Sequence, residues 1–276
     1  MTTFRLWGVR GSTPSPGPST QRYGGNTSCV SIEREDVVII IDAGTGIRAA
    51  GGAYFTDSRP IVQLFTHLHH DHIQGFPFFG PLYNPQKQLY LVDYPSKRGP
   101  WSPLSYFDGF HFPLTEDMVG AKTTRIDQTP ADFMKTFGVD LYQHEVQHPG
   151  GAFGYKIAAH GHEIVHIPDN ELGILKEDAA RYASLVNFCD GVDYLCHDAQ
   201  YTEQDMPMKW GWGHSIIDDV CQLAIDAKVE NLILFHHDPD RSDEALDDIR
   251  DHYAPRLNAC NIQLHIAREG DAYVLK

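Results

Sequence analysis

The feature that most constrains this chain is Thr66-His67-Leu68-His69-His70-Asp71-His72, which directly follows the apolar, strand-like run Ile61–Phe65. A strand's period of two puts His67 and His69 on one side, so both imidazoles reach one metal ion. The chain then turns, and Asp71 and His72 face a second ion close by. Imidazole with carboxylate suits zinc, and also iron or manganese. At this chain's own His and Asp frequencies, His-x-His-x-Asp-His arises by chance roughly 0.005 times, so a histidine-rich surface loop is a poor explanation.

Short β-like runs recur along the chain: Phe4–Val9, Ser28–Ile32, Val37–Ile41, Ile61–Thr66, Gln88–Val92, Val139–Val146, Tyr155–Ala159, Glu163–Ile167, Tyr194–His197, Leu232–His236 and Ile262–Ala267. Each is rich in β-branched or aromatic residues, and most are bounded by Gly, Asp, Asn or Pro. Ser215–Lys228 carries Ile216, Val220, Leu223, Ala224 and Ala227 at helical spacing, and Glu177–Phe188 and Ser242–Leu257 read similarly. Many strands with few helices predict two sheets flanked by helices, in one domain over residues 1–276.

With 22 basic and 37 acidic residues the net charge is −15. A nucleic-acid polymer normally needs a basic face that releases counterions, so a small anionic ester is the expected substrate and no polymer is expected. No apolar run reaches about 18 residues, which argues against a membrane span. The start Met1-Thr2-Thr3-Phe4 lacks the basic opening and apolar stretch of a signal peptide, so the expected location is cytoplasmic. The cysteines at 29, 189, 196, 221 and 260 form no Cys-x-x-Cys pair, so they read as reduced, buried thiols.

The histidine segment resembles the signature of the metallo-β-lactamase superfamily, and Gly44-Thr45-Gly46 after Val37–Asp42 matches the glycine turn that precedes its metal loop. The resemblance implies an α/β fold: a four-layer αβ/βα sandwich of two mixed sheets flanked by helices, with two divalent metals at one sheet edge. It also implies the remaining ligands. His148, in Gln147-His148-Pro149, matches the third-motif histidine better than mid-strand His144. Asp169 resembles the bridging aspartate, although Pro168 and Asn170 replace its usual neighbours. In the phosphodiesterase branch a Gly-His-Ser segment precedes the final histidine by 22 residues; from Gly213-His214-Ser215 that step selects His236 over His237. One ion then takes His67, His69 and His148, the other Asp71, His72 and His236, with Asp169 bridging and Asp42 structural.

Cys196-His197-Asp198-Ala199 resembles a His-Glu-Ala-Thr segment of the tRNA-processing endonucleases, tRNase Z among them, and of the small-molecule phosphodiesterases. Gly8 to Pro14 and Gly24-Gly25-Asn26-Thr27-Ser28 match smaller bacterial members described as cyclic-nucleotide phosphodiesterase-like. The nucleases' basic arm has no counterpart here. The diiron oxidoreductases of the superfamily carry Glu where this chain has Asp71. The resemblance therefore implies a binuclear phosphodiesterase for a small diester, cyclic ones included; the rival is a carboxylic ester, lactone or thioester hydrolase using the same metals. Asp71, His214 as proton donor, and His197 are the expected catalytic residues, although a structural role for His197 is nearly as good. Trp212, Ser215 and Phe110 are the expected substrate contacts. Residues 95–125 read as an insertion near the site. Its Trp101, Tyr106, Phe107, Phe110 and Phe112 form either a lid that stacks on a ring, or a homodimer contact or satellite core.

Overall fold

β-branched runs bounded by turn residues build nearly all of this molecule. A computed structural model describes residues 2–92, 94–96 and 99–275, with side chains for all of these except 94–96, 99 and 100. In chain order the first strands are β1 (Thr2–Gly8), β2 (Cys29–Glu33), β3 (Val38–Ile41), β4 (Ile61–Leu64), β5 (Gln88–Leu91), β6 (Tyr94–Ser96), β7 (Gly99–Trp101) and β8 (Lys122–Arg125). They continue as β9 (Asp140–Val146), β10 (Ala152–Ala159), β11 (His162–Ile167), β12 (Tyr194–Asp198), β13 (Asn231–Phe235), β14 (Gln263–Ile266) and β15 (Ala272–Leu275). The helices are α1 (Ile47–Tyr54), α2 (His70–Ile73), α3 (Pro130–Met134), α4 (Leu172–Leu175), α5 (Ala179–Cys189), α6 (Ile217–Asp226) and α7 (Asp243–Asn258).

One sheet has the order β15-β1-β2-β3-β4-β5-β8, the other β14-β13-β12-β11-β10-β9. Both are mixed: β3-β4-β5-β8 and β11-β12-β13-β14 are parallel, and the remaining pairs are antiparallel. Strand alternation sorts the apolar residues into three cores. Leu6, Ile39, Ile41, Val62, Tyr155, Ile157, Ile164, Ile233 and Phe235 fill the space between the sheets. Val38, Ile40, Ile61 and Leu89 face outward under α1 and the short turns after α2. Val165, Leu195, Leu232 and Leu234 face outward under α4, α5, α6 and α7. Helix, sheet, sheet, helix is the expected four-layer arrangement. No helix among the described residues is long and apolar enough to cross a membrane.

β8 and β15 escape the sequence pattern for a physical reason. Lys122–Arg125 is exposed and polar, held to β5 by backbone pairing and the Gln88–Thr124 side-chain hydrogen bond, and β15 is an edge strand with a single buried residue. The functional consequence of the fold lies at one end. β4, β11, β12 and β13 run in parallel registers, and the loops leaving their carboxyl ends gather with the loop after β9, as ligand-binding loops of α/β sheets do.

Candidate metal centre

β4 stops at Leu64, earlier than its apolar run suggests, and His67 to His69 lie in the loop that follows. The one-turn helix α2 then swings Asp71 and His72 inward while His70 stays exposed. His148 follows β9, Asp169 follows β11, and His236 follows β13. His67, His69, His148 and Asp169 bring ligand atoms within 4.8 Å of one another, and Asp71, His72 and His236 do the same. All seven residues expected as ligands thus converge from five segments.

Asp169 stands between the two groups, and its oxygens divide. Oδ2 lies 3.6 Å from His67 Nε2 and 3.6 Å from His148 Nε2. Oδ1 lies 3.0 Å from His72 Nε2 and 3.3 Å from His236 Nε2. That is the disposition a bridging carboxylate needs.

Each inward ring is oriented from behind, and the tautomers follow from the partners. His72 Nδ1–H donates to Asp42 Oδ2 at 2.8 Å, and His148 Nδ1–H to the Gly213 carbonyl at 2.8 Å. His236 Nδ1–H donates to Gln200 Oε1 at 2.9 Å. The Thr66 hydroxyl donates to Asp42, so its oxygen accepts from His67 Nδ1 at 3.2 Å. Four Nε2 lone pairs are therefore left facing the centre. His69 differs: its Nδ1 is the inward atom, 2.9 Å from His148 Nε2. The Ser12 backbone N–H holds Asp71 Oδ2 at 2.8 Å.

These atoms fit divalent cations. His67 Nε2 is buried without a hydrogen-bond partner, and His72 Nε2 and Asp169 Oδ1 face each other at 3.0 Å without the alignment of a good hydrogen bond, a costly state that cations between them would relieve. Burial pushes the His67, His69 and His148 imidazoles below their ordinary range, which keeps them neutral. Burial opposes the charges of Asp71 and Asp169, yet the surrounding imidazoles outweigh it and hold both carboxylates ionised. Burial likewise opposes a proton on His72, but Asp169, Asp71 and Asp42 overcome it; a metal ion would compete with that proton for the same acceptors.

His237 is excluded from the cluster: its Nε2 bonds the Ala267 carbonyl at 2.8 Å, and burial, then Arg10, pushes its pKa down to about 3. His144 stacks on Phe188. His214 is buried beside the cluster, stacked on His236 at 4.9 Å, with Nδ1 2.9 Å from Asp198 Oδ2.

Three other expected site residues do not join the cluster. His197 sits behind the site with both nitrogens engaged, Nδ1 by the Asp198 carbonyl at 2.7 Å and Nε2 by the Asn170 amide at 3.1 Å. The residue that reaches His214 is Asp198. The Ser215 hydroxyl is buried, donating to the Asn170 carbonyl and accepting from Leu172 N–H, so it is closed to substrate. Phe110 is 88% exposed and its ring stands edge-on to that of His111. The other aromatics of the 95–125 segment form a satellite core: Trp101 stands edge-on to Phe65, and Phe107 packs on Phe76 and Phe112. Its first side chains, to residue 100, lie outside the described residues. Trp212 is more than half exposed on the loop that leads to Gly213.

Gln200 and Glu171 were not singled out from the sequence, and Asp198 and Ser12 stood there only as members of longer motifs. Glu171 is buried and accepts Gly211 N–H and Gly213 N–H on its two oxygens, at 2.7 and 2.8 Å. The capping-like polar residues carry no spacing signal that marks them.

Comparison with known proteins agrees with this architecture. The beta-lactamase superfamily domain matches residues 38–237. The metallo-β-lactamase-fold protein YhfI of Bacillus subtilis superposes with a TM-score of 0.68 at 15% identity, covering 99% of this chain and 98% of that one. A diphosphatase of the PhnP family gives 0.64 at 18% identity, with 100% and 98% coverage. The short form of human tRNase Z gives 0.59 at 18% identity, with 99% of each chain covered. No curated protein matches the sequence. The fold, the family match and the buried His/Asp cluster place the chain in the beta-lactamase superfamily, as a metal-dependent hydrolase of the metallo-β-lactamase fold.

Proposed function

We propose that this hydrolase is a binuclear phosphodiesterase acting on a small phosphodiester, cyclic ones included. The observation that carries the reading is His214, buried against the cluster and hydrogen-bonded to Asp198. In the metal-free protein burial opposes charge on this ring, but the charge and hydrogen bond of Asp198 outweigh it and push the pKa up to about 9. A protonated imidazole beside the reacting centre is a proton donor for a departing alkoxide. A carboxylic ester or lactone has less use for it.

His67, His69 and His148 would hold one ion and Asp71, His72 and His236 the other, with Asp169 between them. Zinc suits these donors, and manganese and iron are compatible. When bound, two such ions supply Lewis acidity and an acidified water. The chain's own residues do the rest. Asp42, Gln200 and the Gly213 carbonyl hold the rings in place, Ser12 N–H fixes Asp71, and His214 keeps a proton at the leaving side. The net charge of −15 supports a small substrate over a polymer.

A panel of p-nitrophenyl phosphodiesters, phosphomonoesters and carboxylic esters, assayed with zinc, manganese and iron, tests this reading. Bis-(p-nitrophenyl) phosphate and small alkyl or cyclic diesters should be cleaved well and monoesters poorly. A protein that ignores every diester but opens lactones or thioesters overturns it.

A further inference from the structure

The loop that enters Gly213 carries a cation the hydrolytic chemistry does not use. Lys209 Nζ stands 4.3 Å from the Trp212 ring centroid and 5.4 Å from that of Tyr201. The Tyr201 ring is in turn edge-on to His214, at 5.6 Å. Among the described residues no carboxylate pairs with this ammonium, in a chain with 37 acidic residues. Two aromatic faces hold it in place without neutralising it, because a ring quadrupole attracts a cation and leaves its net charge available.

The loop is also fixed at its base. Glu171 accepts both Gly211 N–H and Gly213 N–H, Trp210 lies against Gly173, and the Gly213 carbonyl orients His148. Gly211 and Gly213 have φ of 82° and 93°, in the left-handed region that favours glycine, so the tight return toward His148 is built into the sequence. Lys209 is therefore carried on an anchored loop that leads to the His148 side of the cluster, beside the exposed ring of Trp212.

Resting on the phosphodiesterase reading, we infer that Lys209 determines specificity by taking a second anionic group of the diester, remote from the scissile phosphorus. The ring of Tyr201 stands between the ammonium, 5.4 Å from its centroid, and His214, 5.6 Å from it, so the ammonium lies beyond the reacting phosphoryl group and meets a second anionic group carried on a linker of several bonds. Phosphate and carboxylate share the required chemistry. The exposed face of Trp212 supplies an apolar wall for the atoms between.

Ethyl, 2-carboxyethyl and 2-phosphoethyl p-nitrophenyl phosphate test the inference with the metal-loaded protein. The wild type should favour a charged ester over the ethyl ester by about tenfold in kcat/KM, through KM. Lys209→Met should bring that ratio near one and Lys209→Arg should keep it. A gain confined to the phosphoethyl ester identifies a phosphate group, and a gain with both identifies any small anion. No preference in the wild type, or a Lys209→Met variant that slows all three esters by one factor, overturns the inference while leaving the phosphodiesterase reading intact. Failure to cleave any of the three, with carboxylic esters hydrolysed, overturns that reading and this inference with it.

Discussion

Gly11→Ala isolates how tightly the second metal group is built. Gly11 has backbone angles open to alanine, so the substitution adds a methyl group without backbone strain. That Cβ would stand 2.5 Å from His236 Nδ1 and 2.7 Å from both His236 Cε1 and Gln200 Oε1. Ordinary contacts begin near ~3.5 Å, so the ring, its Gln200 partner or the loop must give by about 1 Å. The Gln200 bond that fixes the Nδ1–H tautomer is strained by the same methyl, and the Gly11 N–H is tied to the His237 carbonyl at 2.9 Å, which leaves the loop little room to retreat. Loss of such an orienting contact costs about 10–100-fold in metal affinity, and a displacement of this size costs roughly 10²-fold in rate. Overpacking should also lower the stability of the metal-free protein by about 1–3 kcal/mol. Titration against a chelator of known affinity, kcat/KM on bis-(p-nitrophenyl) phosphate and urea unfolding read the three effects. Gly17→Ala, with no atom within 4 Å of its Cβ, is the control. A Gly11→Ala protein that binds two ions with wild-type affinity refutes the reasoning.

His236→Ala should lose metal and activity, while His237→Ala should bind metal nearly normally and show its cost in thermal stability; metal analysis of both variants checks this. His214→Ala should slow an alkyl diester by about 10²–10⁴-fold and a p-nitrophenyl diester far less, because a good leaving group departs with little help; equal slowing of both means that His214 binds phosphate and donates no proton. In the metal-free protein the protonated His214–Asp198 pair stabilises the fold fully below the ordinary imidazole range, and this contribution fades as pH rises through about 9. The shift from 6.5 to about 9 corresponds to roughly 3 kcal/mol, which urea unfolding at pH 6 and pH 10 should show in the wild type beyond His214→Ala. Two dications beside the ring would oppose its protonation, so the metal-loaded protein should show a smaller difference.

The candidate cluster was legible in part because its central segment is local. His67 to His72 sit within six consecutive residues, whereas His148, Asp169 and His236 were placed by the family resemblance, each just after the end of a strand. Their supporting partners were not legible, because those contacts are made only by folding. Gln200 lies 36 residues from His236, and Ser12 lies 59 from Asp71. His197 and Asp198 show the limit most clearly. Neighbours on one strand point to opposite faces, so one residue of register decides which of them meets His214. Ser215 read as a substrate contact from its place after His214, yet at that helix entrance its hydroxyl ties down Asn170 and Leu172. In the 95–125 segment, composition alone does not distinguish a lid from a small core; the edge contacts of Trp101 and Phe107 do.

The most direct test of the account is metal content. Elemental analysis after metal-saturated expression should give close to two divalent transition-metal ions per chain, with Asp71→Ala lowering the count and Asp169→Ala weakening both ions, the chain remaining folded in each case because its three apolar cores do not depend on the metals. A stoichiometry near one in the wild type, left unchanged by Asp71→Ala, would contradict a two-metal centre.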